Sequence, residues 1–375
     1  MGTPLNENPA ELPLLNQPLA PLLLPWFDIH RRDLPWRKDC DAYRIWVSEV
    51  MLQQTTVATV VPYFTRFLAA FPSVSHLAAS DEQHILKLWE GLGYYRRARH
   101  LHAAAKQLVA DHGGTLPNDP AIWEELPGVG RYILGAVLSQ AFDRKLPIVE
   151  ANSLRVLARV FGYQGDPREG EGKAWVWATA ETVLPETRCG DFNQALMELG
   201  ALVCTPTEPA CGKCPLAACC VANRDSLQNI IPPKKKQPEI TAVSEVGIVI
   251  RRGELVLLCK RPANAGRWQN MWEVPHAERQ PDEELTAAAR RVTRELTGLE
   301  VEPGAELLTL THPVTRYRIT LACVEATALH GDFQSGFYSE AKWLPPAELR
   351  DYPVSSPQRK LMTALAHPRL QRPLF

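Results

Sequence analysis

The sequence carries almost no net charge, because its 41 Lys and Arg residues nearly balance its 42 Asp and Glu residues. This balance excludes a uniform basic field, so any nucleic-acid surface must be a local concentration of basic side chains. The chain also lacks an apolar run that could cross a membrane, and its start lacks the basic and apolar regions of a signal peptide. These absences predict a soluble cytoplasmic protein without a membrane partner.

Cysteines are few but clustered. Four of the nine follow the spacing C-x6-C-x2-C-x5-C, at Cys204, Cys211, Cys214 and Cys220. An odd total with this clustering favours a reducing compartment and metal ligation over disulfides. Such a set can hold zinc or an iron–sulfur cluster, and spacing alone does not choose, although four-cysteine zinc sites usually contain two C-x2-C pairs. Cys219 is a possible substitute ligand, and unligated reduced cysteines are the remaining interpretation.

The composition changes along the chain and predicts a multidomain protein, which 375 residues allow. Residues 1–21, rich in Pro, Leu and Asn, predict a disordered extension. Between 22 and 230, amphipathic segments separated by Pro and Gly predict an all-α region, which the cysteine loop closes. Residues 231–239 combine Pro and Lys and predict a solvated linker.

Residues 240–375 predict an α+β domain, because short β-branched or apolar runs replace the helical period. One helix is predicted over 281–297, ending before Gly298. A turn at Arg252-Gly253 joins the first two predicted strands. The strands are expected at 246–250, 255–259 and 317–324.

The run Leu126–Tyr132 predicts a tight turn that feeds a helix. Gly128 and Gly130 allow close approach of a ligand to the backbone, and the N–H groups of a helix N-terminus can bind a phosphate of a nucleic acid. Arg131 adds charge beside the turn. The alternative is that the glycines merely end one helix and begin another.

Glu49 lies among apolar residues on a predicted helix that includes Trp46 and Met51. A carboxyl group desolvated by such neighbours has a raised pKa and can act as a general acid near neutral pH. The alternative, from periodicity alone, is a surface glutamate on an amphipathic helix.

The glycine turn, the cysteine spacing and the run Trp46–Thr55 together resemble the endonuclease III superfamily of helix-hairpin-helix DNA glycosylases, and within it the MutY-type adenine glycosylases. The runs 33–37, 91–95 and 192–200 extend the resemblance, which continues through the C-terminal domain. It implies a six-helix barrel packed against a [4Fe–4S] domain, with the target base in the cleft between them, followed by a Nudix-like domain. It also implies iron, and not zinc, at the four cysteines.

The resemblance implies a monomeric base-excision-repair enzyme that removes adenine mispaired with 8-oxoguanine or guanine in double-stranded DNA. It matches Glu49 to the acid that protonates N7 of the flipped adenine, so that the N-glycosidic bond breaks toward an oxocarbenium-like sugar. Tyr132 stands where lyase members carry a lysine nucleophile, which implies a monofunctional enzyme with Tyr132 lining the site near the developing cation.

Glu150 departs from the family pattern, which places an aspartate there to stabilise the cation. Its carboxylate stands about 1.5 Å further out, and a misplacement of about 1 Å can cost on the order of a hundredfold in rate. We expect Glu150 still to stabilise the cation. Asn152 either orients a water or this carboxylate, or caps the following helix.

Further positions are matched to DNA contacts. By resemblance, Gln54, Thr55 and Leu92 probe the duplex around the purine opposite the target, and Tyr94 stacks or wedges beside it. The arginines at 96, 97 and 99 are expected to contact phosphates. Positions that wall the adenine pocket are matched by Trp36, Arg37, Gln194 and Met197.

The C-terminal domain resembles a MutT-type Nudix fold, the 8-oxoguanine reader of the family. Thr311 and His312 are expected in a loop that contacts the lesion, where the Thr311 hydroxyl can meet its N7–H or O8. The matching Nudix helix keeps only Glu295 of the glutamates that hold magnesium, which predicts no pyrophosphatase activity. Two other functions stay open: a thymine- or uracil-mismatch glycosylase of the same superfamily, and a non-catalytic lesion-binding protein.

Overall fold

The computed structural model describes residues 18–235 and 239–366. They form two compact units, of which the first contains the chain up to Ala79 and again from His100, and the second contains Ser80–Arg99 and the chain after the predicted linker. The expected extension at 1–21 lies largely outside the described residues. Helix α1 already begins at Ala20, and Leu19 before it is buried.

The region before the linker is helical, as predicted. Helix starts are fixed by short polar side chains that accept backbone N–H groups, such as Asp41 before α2 and Asp119 before α7. Helix α5 lies in the second unit. The helices are α1 (Ala20–His30), α2 (Ala42–Leu52), α3 (Val57–Ala70), α4 (Val74–Ala79), α5 (Glu82–Trp89), α6 (Arg96–His112), α7 (Pro120–Glu124), α8 (Arg131–Phe142), α9 (Ala151–Phe161), α10 (Gly170–Val183), α11 (Cys189–Leu202) and α12 (Val221–Arg224).

Two packing arrangements in the first unit position its functional residues. Helix α2 packs against α8 and buries eight of its eleven residues, Glu49 among them. Helices α1, α9, α10 and α11 share a second core, which includes Phe27, Leu157 and Leu199. Three of the clustered cysteines pack against this core, so the cysteine loop is attached to the ends of α9 and α11.

The second unit contains a seven-stranded mixed sheet, which confirms the α+β prediction. Strands β1 and β6 pair in parallel, and the other pairs are antiparallel. Ile248 faces the core beneath α13, while its neighbour Val249 faces the core beneath α14, because successive strand residues point to opposite faces. The elements are β1 (Thr241–Arg252), β2 (Leu255–Lys260), β3 (Trp272–Glu273), β4 (His276–Glu278), α13 (Leu285–Thr297), β5 (Glu300–Val314), β6 (Tyr317–His330), β7 (Glu340–Leu344) and α14 (Ser356–Ala366).

The prediction that Thr311 and His312 lie in a loop is wrong. Both residues lie within β5, where they pair with Thr320 and Ile319 of β6. The strand was hidden in the sequence because it contains prolines and three register shifts, which break the alternating pattern. Strand β5 ends the strand order of the sheet, and an edge strand tolerates proline.

Other boundaries shift by a few residues. Helix α13 begins at Leu285, four residues after the predicted start, and ends before Gly298 as predicted. Arg252 belongs to β1, so the turn is made by the two residues after it, with Gly253 at φ +59°. The predicted linker begins inside the first unit, where Ile231 is buried and its carbonyl accepts a hydrogen bond from Arg159 Nε at 2.8 Å. Residues 236–238 lie outside the described residues.

Candidate active site and cysteine cavity

The carboxyl group of Glu49 is enclosed between α2 and α8, with only 3% of the residue exposed. Tyr132 Oη donates to Glu49 Oε2 at 2.6 Å, and Gln140 Nε2 donates to Glu49 Oε1 at 2.9 Å. Burial raises the pKa of Glu49, although these two hydrogen bonds and the charge of Arg37 oppose the change. Glu49 is therefore not a surface residue, and its carboxyl group keeps its proton to a higher pH than an ordinary glutamate.

Tyr132 lies within electrostatic range of both acidic residues of the site. Burial is the main cause that raises the pKa of its phenol, and the charges of Glu49 and Glu150 raise it further. Its oxygen also lies 3.7 Å from Met197 Sδ. The phenol therefore stays neutral and can donate a hydrogen bond to a carboxylate.

Glu150 is the N-cap of α9. Its Oε1 accepts from the backbone N–H groups of Asn152 and Ser153, both at 2.8 Å, and the Glu150 N–H donates to Ser153 Oγ at 2.9 Å. These bonds form a capping box and fix the carboxylate. Burial raises the pKa of Glu150, against the opposing effect of the two backbone N–H groups, and the charge of Glu49 adds to the increase.

Asn152 lies in the first turn of α9, so the helix-cap alternative is wrong. Its Nδ2 donates to Glu150 Oε2 at 3.1 Å, which is the contact that an orienting residue requires. Arg155 holds Asn152 in turn, with Nη2 donating to Asn152 Oδ1 at 2.8 Å. Arg155 Nε also donates to the carbonyl of Cys204 at 2.7 Å, which connects this network to the cysteine loop.

An open cavity of about 300 Å³ in the first unit is linked to Glu49 through Gln140, while Glu49, Tyr132, Glu150 and Asn152 are not among its lining residues. Its lining includes Trp36, Arg37 and Gln194, three of the four residues predicted to wall a base pocket, together with Gln140. Met197 contacts Tyr132 but does not line this cavity. Because Gln140 also donates to Glu49, the cavity wall and the buried carboxyl share a side chain.

Arg37 is held by a glutamate that sequence reasoning did not single out. Glu198 is completely buried and accepts from Arg37 Nη2 at 3.0 Å and from Arg32 Nε at 2.7 Å. Burial would raise the pKa of Glu198, but the hydrogen bonds from Arg32 and Arg37 lower it to about 2. Glu198 is therefore ionised, and its charge fixes the guanidinium of Arg37 at the cavity wall.

The glycine turn leads into α8 as predicted. Gly128 has φ +77°, and a Cβ there would lie 2.5 Å from His100 Cβ. Glycine is therefore required at 128 by its backbone conformation and by packing against His100. Gly130 is the N-cap of α8 and has open space around it, which leaves room for a ligand. Arg131 is exposed, and its guanidinium lies 4.0 Å above the ring of Trp177.

Two residues predicted to probe DNA have a left-handed backbone, which is uncommon outside glycine and concentrates at functional sites. Gln54 is exposed at φ +57°, in the turn after α2 and before Thr55. In the second unit, Tyr94 has φ +48° and is 57% exposed. Leu92 is 6% exposed, so the turn presents Tyr94, and not Leu92, to solvent.

The expectation that the arginines after this turn form a phosphate-binding surface is wrong for two of the three. Arg97 Nη2 donates to the carbonyls of Leu92 and Gly93, at 3.2 and 3.1 Å, and Arg99 Nη1 donates to the carbonyl of Gln269 at 3.0 Å. Only Arg96 is exposed.

Thr311 and His312 occupy one stretch of the edge strand β5 in the second unit. Thr311 is exposed, so its hydroxyl is accessible to a ligand. Both ring nitrogens of His312 are buried and have no hydrogen-bond partner among the described residues. Burial lowers the pKa of His312, which favours the neutral ring.

Cys204, Cys211, Cys214 and Cys220 line one cavity between α9 and α11. Burial, together with the charges of the other three cysteines, raises the pKa of Cys214 to about 12, so four thiolates here require a cationic centre. Arg159 Nη1 and Gln228 Nε2 point at the sulfurs of Cys204 and Cys211, at 3.4 and 3.8 Å.

The donor set fits a cluster. Four cysteine sulfurs are the donors that, once deprotonated, bind iron–sulfur clusters, and Arg159 and Gln228 contact two of them. Among the described residues, no three His, Cys, Asp or Glu side chains lie close enough to hold a single metal ion. Cys219 is not among the residues that line the cavity, and its thiol donates to the carbonyl of Leu216 at 3.3 Å.

Within 18–235 and 239–366, no helix has the length and apolar character of a membrane span.

The family model of HhH-GPD superfamily base excision DNA repair proteins matches residues 47–179, and that of the NUDIX domain matches residues 245–364. The chain is 33% identical to the adenine DNA glycosylase of Rattus norvegicus, over 90% of this chain and 76% of the rat protein. It is 39% identical to the adenine DNA glycosylase of Buchnera aphidicola strain Sg, over 61% of this chain and 67% of that protein. Among solved structures, a thermostable thymine-DNA glycosylase is 31% identical with a TM-score of 0.50, covering 55% of this chain and 95% of that one.

Proposed function

The chain belongs to the family of adenine DNA glycosylases, and on that premise we propose that it removes adenine mispaired with 8-oxoguanine or guanine. It is a DNA glycosylase, with DNA as its partner. The observation that carries the proposal is the buried carboxyl of Glu49, which is held by Tyr132 and by Gln140, whose side chain also lines a cavity of base-binding size.

Glu49 is the general acid of the proposed reaction. A glycosylase extrudes its target base from the duplex, which brings the base to the buried acid. Glu49 then gives its proton to N7 of the adenine, and the N-glycosidic bond breaks with its electron pair leaving on the base. The raised pKa of Glu49 supplies the proton near neutral pH, and general acid catalysis contributes about 10²–10⁴-fold in rate.

Glu150 stabilises the sugar cation that this bond cleavage creates. Its carboxylate is fixed by the N-terminus of α9 and by Asn152, so it is oriented before the reaction and does not reorganise during it. The capping box holds the longer glutamate side chain against the start of α9, from which we infer that the extra methylene does not abolish this role. Glu150 then assists the attack of a water molecule on the sugar carbon.

Tyr132 makes the enzyme monofunctional. A phenol cannot form the imine through which a lysine cleaves the sugar, and here the phenol is occupied by its hydrogen bond to Glu49. The reaction therefore ends with a free base and an abasic site, and the strand breaks only on treatment with alkali.

The cysteine cavity is the proposed site of a [4Fe–4S] cluster. Cys204, Cys211, Cys214 and Cys220 would hold it, with Arg159 donating to a ligand sulfur. When bound, the cluster supplies a rigid, covalently linked core for this loop. Arg155 donates both to the carbonyl of Cys204 and to Asn152, the residue that contacts Glu150. An ordered cysteine loop would therefore help to hold Asn152 in place.

The duplex that carries the mispair is contacted at four places. At a helix N-terminus, the Gly128–Arg131 turn binds a backbone phosphate. Gln54 and Thr55 contact the opposite purine, and Tyr94 wedges into the stack beside it. Thr311 and His312 are assigned to the 8-oxoguanine; the exposed Thr311 hydroxyl offers the donor and acceptor that its N7–H and O8 require, whereas the ring nitrogens of His312 lie buried beside it in β5.

The discriminating experiment uses the full-length protein and duplexes that carry 8-oxoguanine:A, G:A, G:T or G:U, treated with alkali after incubation. The proposal expects strand breaks at adenine, faster opposite 8-oxoguanine. The 31% identity to a thymine-DNA glycosylase supports a second candidate, a thymine- or uracil-mismatch glycosylase, which would cut only the last two duplexes. Binding without strand breaks would instead indicate a non-catalytic lesion-binding protein.

A further inference from the structure

We propose that Arg359, far along the chain, positions the duplex-probing turn Gly91–Tyr94 through an ion pair with Glu90. The inference rests on the proposed function, because it concerns how the mispair is examined. Its basis is that residues 80–99 fold as part of the second unit, with the sheet that carries Thr311 and His312.

The turn itself has little freedom. Gly91, Gly93 and Tyr94 all have positive φ angles, at +98°, +72° and +48°. The carbonyl of Gly93 accepts from Trp89 Nε1 at 3.2 Å and from Arg97 Nη2 at 3.1 Å. The residues at the two ends of the turn therefore set its shape, and its location depends on what holds those ends.

Arg359 of α14 holds the first end. Its Nε and Nη2 donate to the two carboxylate oxygens of Glu90, which immediately precedes the turn, with the Nη2 contact at 2.9 Å. Nη2 also donates to the carbonyl of Tyr352 at 2.6 Å, which fixes the guanidinium on its own unit. The Glu90 and Arg359 side chains are only 13% and 23% exposed, so this two-pronged pair is largely withdrawn from water.

Other contacts hold the remainder of the segment. At the start of α5, Gln83 Oε1 accepts from Trp272 Nε1, and Gln83 Nε2 donates to the carbonyl of Asn270, both at 2.9 Å. Beyond the turn, Tyr95 Oη donates to the carbonyl of Val354 at 3.2 Å. The Gly91 N–H donates to the same Tyr95 oxygen at 3.3 Å, so one phenol connects the turn to the C-terminal part of the chain.

As a consequence, the two parts of the chain proposed to contact the mispair, the turn Gly91–Tyr94 and strand β5, are held in the same folded unit. Tyr94, the exposed residue of the turn, and the strand β5 that carries Thr311 belong to one compact unit, although more than half of the chain separates them in sequence. Removal of the Arg359 guanidinium takes two donors away from the largely buried carboxylate of Glu90 and leaves the contact from Lys87 Nζ at 3.1 Å, and losing one partner of such a pair is destabilising. The turn then loses its fixed location, while the residues around Glu49 are untouched.

The test uses Glu90→Gln, Arg359→Ala and the double variant in the full-length protein, with Arg294→Ala as the matched control. Arg294 is an arginine of the same unit that pairs with Glu300 at an exposed surface. Tyr95→Phe is a second, milder variant that removes one hydroxyl. Single-turnover excision at 8-oxoguanine:A is measured together with the fluorescence of a 2-aminopurine placed next to the mispair, which reports local unstacking.

We expect Arg359→Ala to reduce the fluorescence gain on binding and to slow excision by roughly tenfold or more, because a misplacement of about 1 Å costs up to a hundredfold. Tyr95→Phe should shift both readouts in the same direction, and Arg294→Ala should change neither. The double variant should lose clearly less than the sum of the two single losses, since both changes remove the Arg359–Glu90 pair, while Glu90→Gln also weakens the contact with Lys87.

Wild-type fluorescence gain and rate in Arg359→Ala and Tyr95→Phe would overturn the inference, as would additive losses in the double variant. If Arg359→Ala does not fold, Tyr95→Phe and Glu90→Gln alone decide the question. Wild-type protein that excises no adenine would instead refute the proposed function, so the two failures are distinguishable.

Discussion

The hydroxyl of Tyr132 donates to Glu49 Oε2 at 2.6 Å, although 83 residues separate the two in sequence. This contact brings the start of α8 to the middle of α2 and places a neutral donor on a buried acid. The hydrogen bond lowers the pKa of Glu49, while burial raises it more. Burial and the hydrogen bond therefore change the pKa of Glu49 in opposite directions, and a single substitution at Tyr132 can remove the hydrogen bond.

Tyr132→Phe removes that hydrogen bond and keeps the ring. Because the bond stabilises the charged form of Glu49, its loss should raise the pKa of Glu49 further. The active form carries the proton, so the descending, basic side of the pH–rate profile should move to higher pH. Single-turnover excision measured from pH 5 to 9 checks this, and an unmoved basic side would contradict the assignment of Glu49 as the titrating acid.

Glu150→Gln replaces a carboxylate by a neutral amide that can still accept the backbone N–H groups at the start of α9. We expect thermal stability to change little and the single-turnover rate to fall by about 10²–10³-fold, the range found when one group that stabilises developing charge is removed. Glu150→Asp keeps the charge and an N-capping side chain, so it is the matched control and should retain most activity. A Gln variant as fast as wild type would show that the charge at 150 has no part in the reaction.

Cys214→Ser should abolish or strongly reduce bound iron, because it removes one of the four thiolates that line the cavity. Cys219→Ser is the matched control, since Cys219 is adjacent to the ligand Cys220 but its thiol faces the carbonyl of Leu216. Iron and acid-labile sulfide content of the purified proteins measures the effect. Equal loss in both variants would mean that the cavity does not identify the ligand set.

Thr311→Ala and His312→Ala should reduce the preference for 8-oxoguanine:A over G:A by roughly tenfold each, since a lost hydrogen bond to a buried polar group costs about 1–3 kcal/mol. Excision at G:A itself should be little affected, because guanine lacks the N7–H and O8 groups. The ratio of single-turnover rates on the two duplexes is the measurement. An unchanged ratio in both variants would refute the reading role of β5.

Features of the site could be predicted from the sequence where they depend on residues that are close to one another in the chain. The apolar residues around Glu49 are neighbours on one helix, but periodicity alone favoured a surface glutamate, and the resemblance to the glycosylase family was needed to predict a buried acid. The role of Glu150 as a helix cap was missed, because a capping box is normally read with Ser or Thr at the N-cap and Glu three residues later, whereas here Glu150 is the N-cap and Ser153 follows three residues later.

The contacts that the sequence did not reveal are those made over long separations. Gln140 lies 91 positions from the carboxyl it binds, and no local pattern marks it. The arginines at 96–99, after the turn Gly91–Tyr94, were misjudged for the same reason, since Arg99 reaches the carbonyl of Gln269, which is 170 positions away. A charge run predicts a solvated surface only when no distant element covers it.

The most direct test of the account is single-turnover excision of adenine by Glu49→Gln. The amide keeps the shape of the side chain and can still accept the hydrogen bond from Tyr132, but it has no proton to give to N7. The account predicts that the variant binds the mispaired duplex as wild type does and excises adenine at least about a hundredfold more slowly. Excision at the wild-type rate would contradict it.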